Sequence, residues 1–167
     1  MKLKEWLASV NSKSTPKLLY RASRDGWGTE DFHRMCDGKG ATITVVKSSG
    51  GYMFGGYTDV AWSQSSTYKS SCTSFLFSLK CHAGLGPLKM DVKSGSNNHA
   101  VYHISGYGPT FGGGHDLCIV SNPNQSNTNT SYTNTGHTYQ LPDGVADYCF
   151  LTGARDFGVA EYEVFQV

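Results

Sequence analysis

Residues Ala41–Trp62, ATITVVKSSGGYMFGGYTDVAW, decide the fold. Thr42, Ile43, Thr44, Val45 and Val46 form a β-branched run, which suits a pleated, half-buried surface. Ser48-Ser49-Gly50-Gly51 is turn chemistry, with glycines free to take positive φ. Tyr52, Phe54, Tyr57 and Trp62 then supply large side chains. The stretch predicts an antiparallel hairpin with a large apolar load.

Working outward toward the N-terminus, Asp37-Gly38 ends a predicted helix that begins near Thr29 and runs to about Met35. Thr29 is the expected cap, and Glu30 and Asp31 suit the positive end of the helix dipole. Phe32 and Cys36 lie four apart and predict the core face, leaving His33 as a surface residue. Asp25-Gly26-Trp27-Gly28 is a turn, and Lys17–Ser23 (KLLYRAS) reads as extended. Leu3, Trp6, Leu7 and Val10 have the spacing of a short amphipathic helix, which would close one end of the core or dock a partner. Residues 1–16 thus read as a helix and linker, and residues 17–167 as one domain.

Toward the C-terminus, Ser63–Ser71 is a polar loop and Ser74–Leu79 a buried strand. Lys89–Val92 is a short strand. His99–Ser105 predicts a strand with Ala100, Tyr102 and Ile104 on one face. Gly106–Gly114 is glycine-rich, and Asp116–Val120 is a short strand. Ser121–Thr138 is almost wholly Ser, Thr, Asn, Gly and Pro, so it predicts a surface loop or exposed hairpin. Tyr148–Thr152 and Ala160–Val167 read as closing strands. Regular strand and turn spacing with little helix predicts a mainly β fold, a two-sheet antiparallel β-sandwich with short flanking helices.

The 167 residues suit one domain with a real core. Lys and Arg number 14 against 13 Asp and Glu, a net charge of +1, which argues against a nucleic-acid or polybasic membrane surface. No apolar run is long enough to insert in a membrane, and no signal-peptide run follows Met1-Lys2-Leu3-Lys4. The chain is therefore expected to be cytoplasmic, or a secreted protein whose leader is gone. Charged residues are 16% of the chain, so the surface hydrogen-bonds mainly through neutral groups, as binders of sugars often do.

Five cysteines, Cys36, Cys72, Cys81, Cys118 and Cys149, leave one unpaired if the protein is secreted, which would allow an intermolecular disulfide and a homodimer. The alternative is five thiols packed as small hydrophobes. Cys72 and Cys81 bracket one predicted strand, about 30 Å apart at ~3.3 Å per residue, too far to pair with each other.

The stretches KLLYRASRDGWGTEDFHRMCDGKG, GGYMFGGYT, FGGGHDLCI, SYTNTGHTY and EYEVF resemble, in order, the TLDc domain family from Lys17 to the C-terminus. The resemblance implies two antiparallel sheets with short helices. It also implies protein contacts in oxidative-stress resistance or regulation of the vacuolar proton pump. It points to Glu163, which matches a glutamate of the family's closing strand. These 167 residues read as almost bare TLDc, without the LysM, TBC or EF-hand modules that relatives often carry. The chain's cysteines and its long Asn/Ser/Thr loop look more like single-domain members from invertebrates such as cnidarians.

Chemical motifs are sparse. There is no G-x-S-x-G elbow, papain-like cysteine context, P-loop or G-x-G-x-x-G, so an enzyme is not expected. Cys81 and His82 are neighbours and would point to opposite faces of a strand. His99 and His103 would stand ~13 Å apart on one. Glu161 and Glu163 share a strand face, ~7 Å apart. With Asp116, Asp147 or Asp156 nearby they are candidate calcium ligands, the alternative being a solvated or Arg-paired face. Sugar binding needs planar polar groups beside an aromatic ring. Tyr107, His115 and Asp116, with Phe111, form one candidate loop, and Asn122, Asn124, Tyr132, Asn134 and His137 another. Trp27 and Trp62 are candidate platforms, with core packing as their alternative. Asn124-Gln125-Ser126 and Asn129-Thr130-Ser131 fit the N-glycosylation pattern.

Two readings follow. The first is a secreted, glycan-binding lectin, with calcium as candidate cofactor and a disulfide-linked dimer as candidate assembly, since two copies would supply two sites. The second is an intracellular module acting by protein–protein contacts.

Overall fold

A computed structural model describes residues 2–10, 15–125 and 130–167. In chain order they form α1 (Lys2–Ser9), β1 (Lys17–Arg21), α2 (Ala22–Asp25), α3 (Thr29–Cys36), β2 (Thr42–Ser48), β3 (Met53–Thr58), β4 (Thr67–Lys69), β5 (Phe75–Lys80) and β6 (Leu88–Asp91). After a 3-10 turn at Asn97–His99 come β7 (Val101–His103), β8 (Tyr107–Phe111), β9 (Leu117–Val120), β10 (Ser131–Thr133), β11 (Asp156–Phe157) and β12 (Val159–Gln166). Two six-stranded sheets result, in the orders β1-β12-β2-β3-β5-β6 and β11-β10-β9-β8-β7-β4. The hairpin β2–β3 lies at the centre of the first sheet, in the register Thr42↔Thr58 to Lys47↔Met53.

The core fills the space between the sheets. Val46, Phe54, Leu76 and Val164 meet Val101, Phe111, Leu117 and Ile119 there. Phe32 and Trp62 close one end, with ring centroids 5.7 Å apart at 71°. The outer face of the first sheet carries a second apolar cluster of Ile43, Tyr57, Phe75 and Phe77, on which Leu7 of α1 sits. The sandwich therefore has a third, partial layer.

Several local expectations change. The cap of α3 is Gly28, whose N–H donates to the Asp31 carboxylate at 3.1 Å, while Thr29 itself is buried. His33 is only 4% exposed. Its Nδ1 meets Asp37 at 2.8 Å, and its Nε2 meets the carbonyls of Ile104 and Tyr107 at 3.0 and 2.9 Å. A polar side chain on the inner face of a helix is tolerated there because every nitrogen has a partner. In β7 it is Val101 and His103 that face the core, with Tyr102 half-exposed. The stretch 121–138 is not all surface: β10 pairs with both β9 and β11, and Ser131 and Thr133 are buried. Hydroxyls can occupy such positions because they hydrogen-bond to the backbone: the Val120 N–H donates to Ser131 Oγ, and Thr133 Oγ1 donates to Asp116 O. Tyr148–Thr152 is a run of turns, not a strand, although Phe150 and Leu151 are buried. Ser126 and Asn129 of the two glycosylation patterns, and 11–14 of the linker, lie outside the described residues.

Candidate functional site

The outer face of the second sheet carries one row of side chains in a single register. Tyr68 of β4 pairs with Tyr102 of β7, Thr110 of β8 with Cys118 of β9, Cys118 with Tyr132 of β10, and Tyr132 with Asp156 of β11. Paired residues project to the same face. Tyr68 and Tyr102 have centroids 4.6 Å apart. His115 then bridges the sheet, 5.3 Å from Tyr102 at 24° and 6.0 Å from Tyr132 at 26°, with Tyr107 edge-on at 5.7 Å. The Arg155 guanidinium closes the row, 4.4 Å over the Tyr132 ring, within cation–π range. The His115 ring thus stands between Tyr102 of β7 and Tyr132 of β10. Thr110 and Cys118, on the same face of β8 and β9, are buried, with Thr110 Oγ1 3.5 Å from Cys118 Sγ.

The glycine run before His115 is what lets the loop turn back. Gly112 has φ +92, and a Cβ there would strike the Asp116 carboxylate. Asp116 is 0% exposed and serves as an anchor. Its carboxylate accepts the N–H groups of Thr138 and Tyr139, each at 3.0 Å. Asn134 adds a bond from Nδ2 to Gly114 O at 3.0 Å. The motif FGGGHD is thus a chassis that holds His115 over the sheet.

Burial lowers the pKa of His115 and raises that of Tyr132. The ring is therefore neutral and the phenol protonated at neutral pH, and Tyr132 Oη and His115 Nδ1 share a hydrogen bond of 2.5 Å whose donor depends on the imidazole tautomer. Burial likewise pushes the Cys118 thiol up to about 11. A shallow cleft of about 270 Å³ adjoins the row, lined by Tyr68, Gly95, Ser96, His99, Gly113, His137 and Thr138.

Of the residues singled out in the sequence, Tyr107, His115, Tyr132, Asn134 and His137 come together here. Asp116 lies beneath them, so it is unavailable to a sugar or a metal. Asn122 and Asn124 lie elsewhere: the Asn122 N–H donates to Trp27 O at 2.8 Å, and Asn124 lines a groove with Ser49 and Gly158. Trp27 is half-buried against Tyr162. Trp62 is a core residue, 1% exposed, with Nε1 donating to Thr42 Oγ1 at 2.9 Å, and is no ring platform.

The calcium set is not assembled. Glu161 and Glu163 share the outer face of β12 in the first sheet, far in topology from Asp116. Glu163 pairs with Arg21 Nε at 2.6 Å, and Glu161 accepts from Ser23. Among the described residues no group of three or more His, Cys, Asp or Glu is placed to hold a metal. All five cysteines are free thiols: Cys36, Cys81 and Cys118 buried, Cys149 half-buried and Cys72 exposed. Burial raises the thiol pKa of Cys36 as well.

Tyr68, Tyr102 and Arg155 went unread in the sequence. Tyr68 sits in a polar stretch, and Tyr102 shares its predicted strand face with Ala100 and Ile104, with no sign of which face meets water. The Val101/His103 alternation was the available signal.

No helix among the described residues is long and apolar enough to cross a membrane. The TLDc domain model matches residues 1–167, and the chain belongs to that family. A curated relative, the mTOR-associated protein MEAK7 of Danio rerio, is 29% identical over 89 residues. The match takes in 52% of this chain but only 18% of that protein, so the chain corresponds to a small part of its relative.

Proposed function

We propose that this TLDc domain acts inside the cell through protein–protein contacts, in oxidative-stress response or in regulation of the proton pump. The observation that carries the reading is the row Tyr68–Tyr102–His115–Tyr132–Arg155. Tyr and Arg are enriched at the anchor points of protein interfaces: Tyr brings a large, rigid contact area at little rotamer cost, and Arg a planar fork of several donors. The relative's name, mTOR-associated, supports a role in association with other proteins. The test is capture of purified proton-pump subunits and of mTOR complexes by the immobilised chain under reducing conditions. Capture should occur with one of these partners and fall at least about tenfold in a Tyr102→Ala/Tyr132→Ala double variant. No capture, or capture indifferent to the double substitution, would reject the reading.

A second reading, glycan binding, rests on the convergence of Tyr107, His115, Asn134 and His137 beside the cleft. A glycan array with and without EDTA tests it. Absence of signal in both conditions rejects it, and signal lost only with EDTA assigns a role to calcium.

A further inference from the structure

The opposite side of the sandwich carries a different surface. Ile43 and Val45 of β2, Tyr57 of β3, Phe75 and Phe77 of β5 and Phe165 of β12 all belong to the apolar cluster on the outer face of the first sheet. A sheet face that meets water is normally polar at alternate positions. Here α1 lies on it. Leu7 is its one buried residue, Leu3, Trp6 and Val10 are half-buried, and Trp6 approaches Phe77 with centroids 6.4 Å apart.

The cover is partial. An apolar groove of about 140 Å³ runs beside α1, lined by Leu3, Leu7, Pro16, Ile43, Val45 and Phe165. A helix of eight residues is also too short to hold its shape in water, since isolated helices below about 12–15 residues are marginal. So α1 is helical because the sheet supports it, held by one buried leucine and by the half-buried Leu3, Trp6 and Val10.

We propose that this face is a seat for an amphipathic helix of a partner protein, and that α1 is a displaceable occupant which the chain keeps there in cis. The chemistry of the partner is written in α1: apolar residues at the spacing of Leu3, Trp6, Leu7 and Val10, aromatic at the second position. This is the helix-in-groove mode of recognition. A partner helix of three or more turns covers the footprint of α1 and the groove together. A second copy of α1 is the poorer occupant, because it is as short as the first and leaves the groove open.

The test uses the full chain in a Cys72→Ser/Cys149→Ser background. The probe is a hydrocarbon-stapled, fluorescein-labelled peptide of three turns, with Leu, Trp, Leu and Val at that spacing. Leu7→Glu unseats α1. An oxidised Leu3→Cys/Val45→Cys pair, whose positions line the same groove, pins it. Fluorescence anisotropy should show the peptide binding Leu7→Glu at least about tenfold tighter than the parent and failing to bind the pinned chain. Equal affinity for all three, or no binding to a folded Leu7→Glu chain, overturns the proposal. So does a Leu7→Glu chain that will not fold, because α1 is then structural and not displaceable. A Leu7→Glu chain that dimerises in light scattering overturns it too, because a second copy then covers the face.

Discussion

The ring of Phe111, on β8 of the second sheet, rests on Gly56, on β3 of the first. A Cβ added at Gly56 would stand 2.6 Å from Phe111 Cζ and 2.9 Å from Leu76 Cδ2. Its neighbour Gly55 faces the other way, where a Cβ would come within 2.9 Å of Phe77 Cζ. The paired glycines let β3 carry a phenylalanine across each face.

Gly56→Val should therefore destabilise the fold by about 1–3 kcal/mol, the usual cost of overpacking a tight core. Urea denaturation measures it. Phe111→Leu in the same chain should recover part of the loss, since the two changes act on one contact.

Acid should weaken the protein through His103. The ring is buried, with Nδ1 at 2.8 Å from Ser63 Oγ and Nε2 without a partner. Burial, with help from Lys69 and His33 and against Asp37, lowers its pKa from 6.5 to about 4. A depressed folded-state pKa means that the unfolded chain binds the proton more readily. The stability contribution is complete above pH 6.5 and is lost as pH falls toward 4, at most about 3 kcal/mol. His103→Gln should flatten the urea midpoint against pH in that window.

The Tyr132–His115 bond should be visible in titration. In the tautomer whose Nδ1 accepts from the phenol, the bond favours the neutral ring. Tyr132→Phe should move the His115 midpoint upward in NMR, toward the ordinary histidine value. An unchanged or lower midpoint would show that the bond does not hold the neutral form.

Asp116→Asn should cost about 1–3 kcal/mol, because an amide nitrogen would then face the N–H groups of Thr138 and Tyr139 or leave one without an acceptor. The same change should broaden the NMR signals of His115, whose loop is anchored by that carboxylate.

The thiols should separate by access. Cys72 should react first with a disulfide reagent and Cys149 next, while Cys36, Cys81 and Cys118 stay protected until unfolding. If the chain forms a covalent dimer on a non-reducing gel, Cys72→Ser should remove it.

The hairpin at 41–62 was legible because a β-branched run and a Gly-Gly turn are local signals. The same holds for β1, α3 and β12. The candidate site was only half legible. His115 and Tyr132 were readable as a polar aromatic pair in loops, but Tyr68, Tyr102 and Arg155 join them only through strand pairing among four separated segments. Asp116 as a site residue and His33 as a surface residue fail for a related reason, and of the two readings open for Trp62 the structure chooses core packing. Composition shows that a side chain is large or polar, while burial depends on what the rest of the chain puts over it.

The sequence alone determined two antiparallel sheets, an N-terminal amphipathic helix and membership in one family, because period, turn chemistry and motif order are local or collinear. Tertiary structure alone decided which carboxylate is an anchor, which tryptophan is core and which rings form a row. Those outcomes depend on register between distant strands. A one-residue shift in pairing would turn Tyr102 to the core and His103 to the surface.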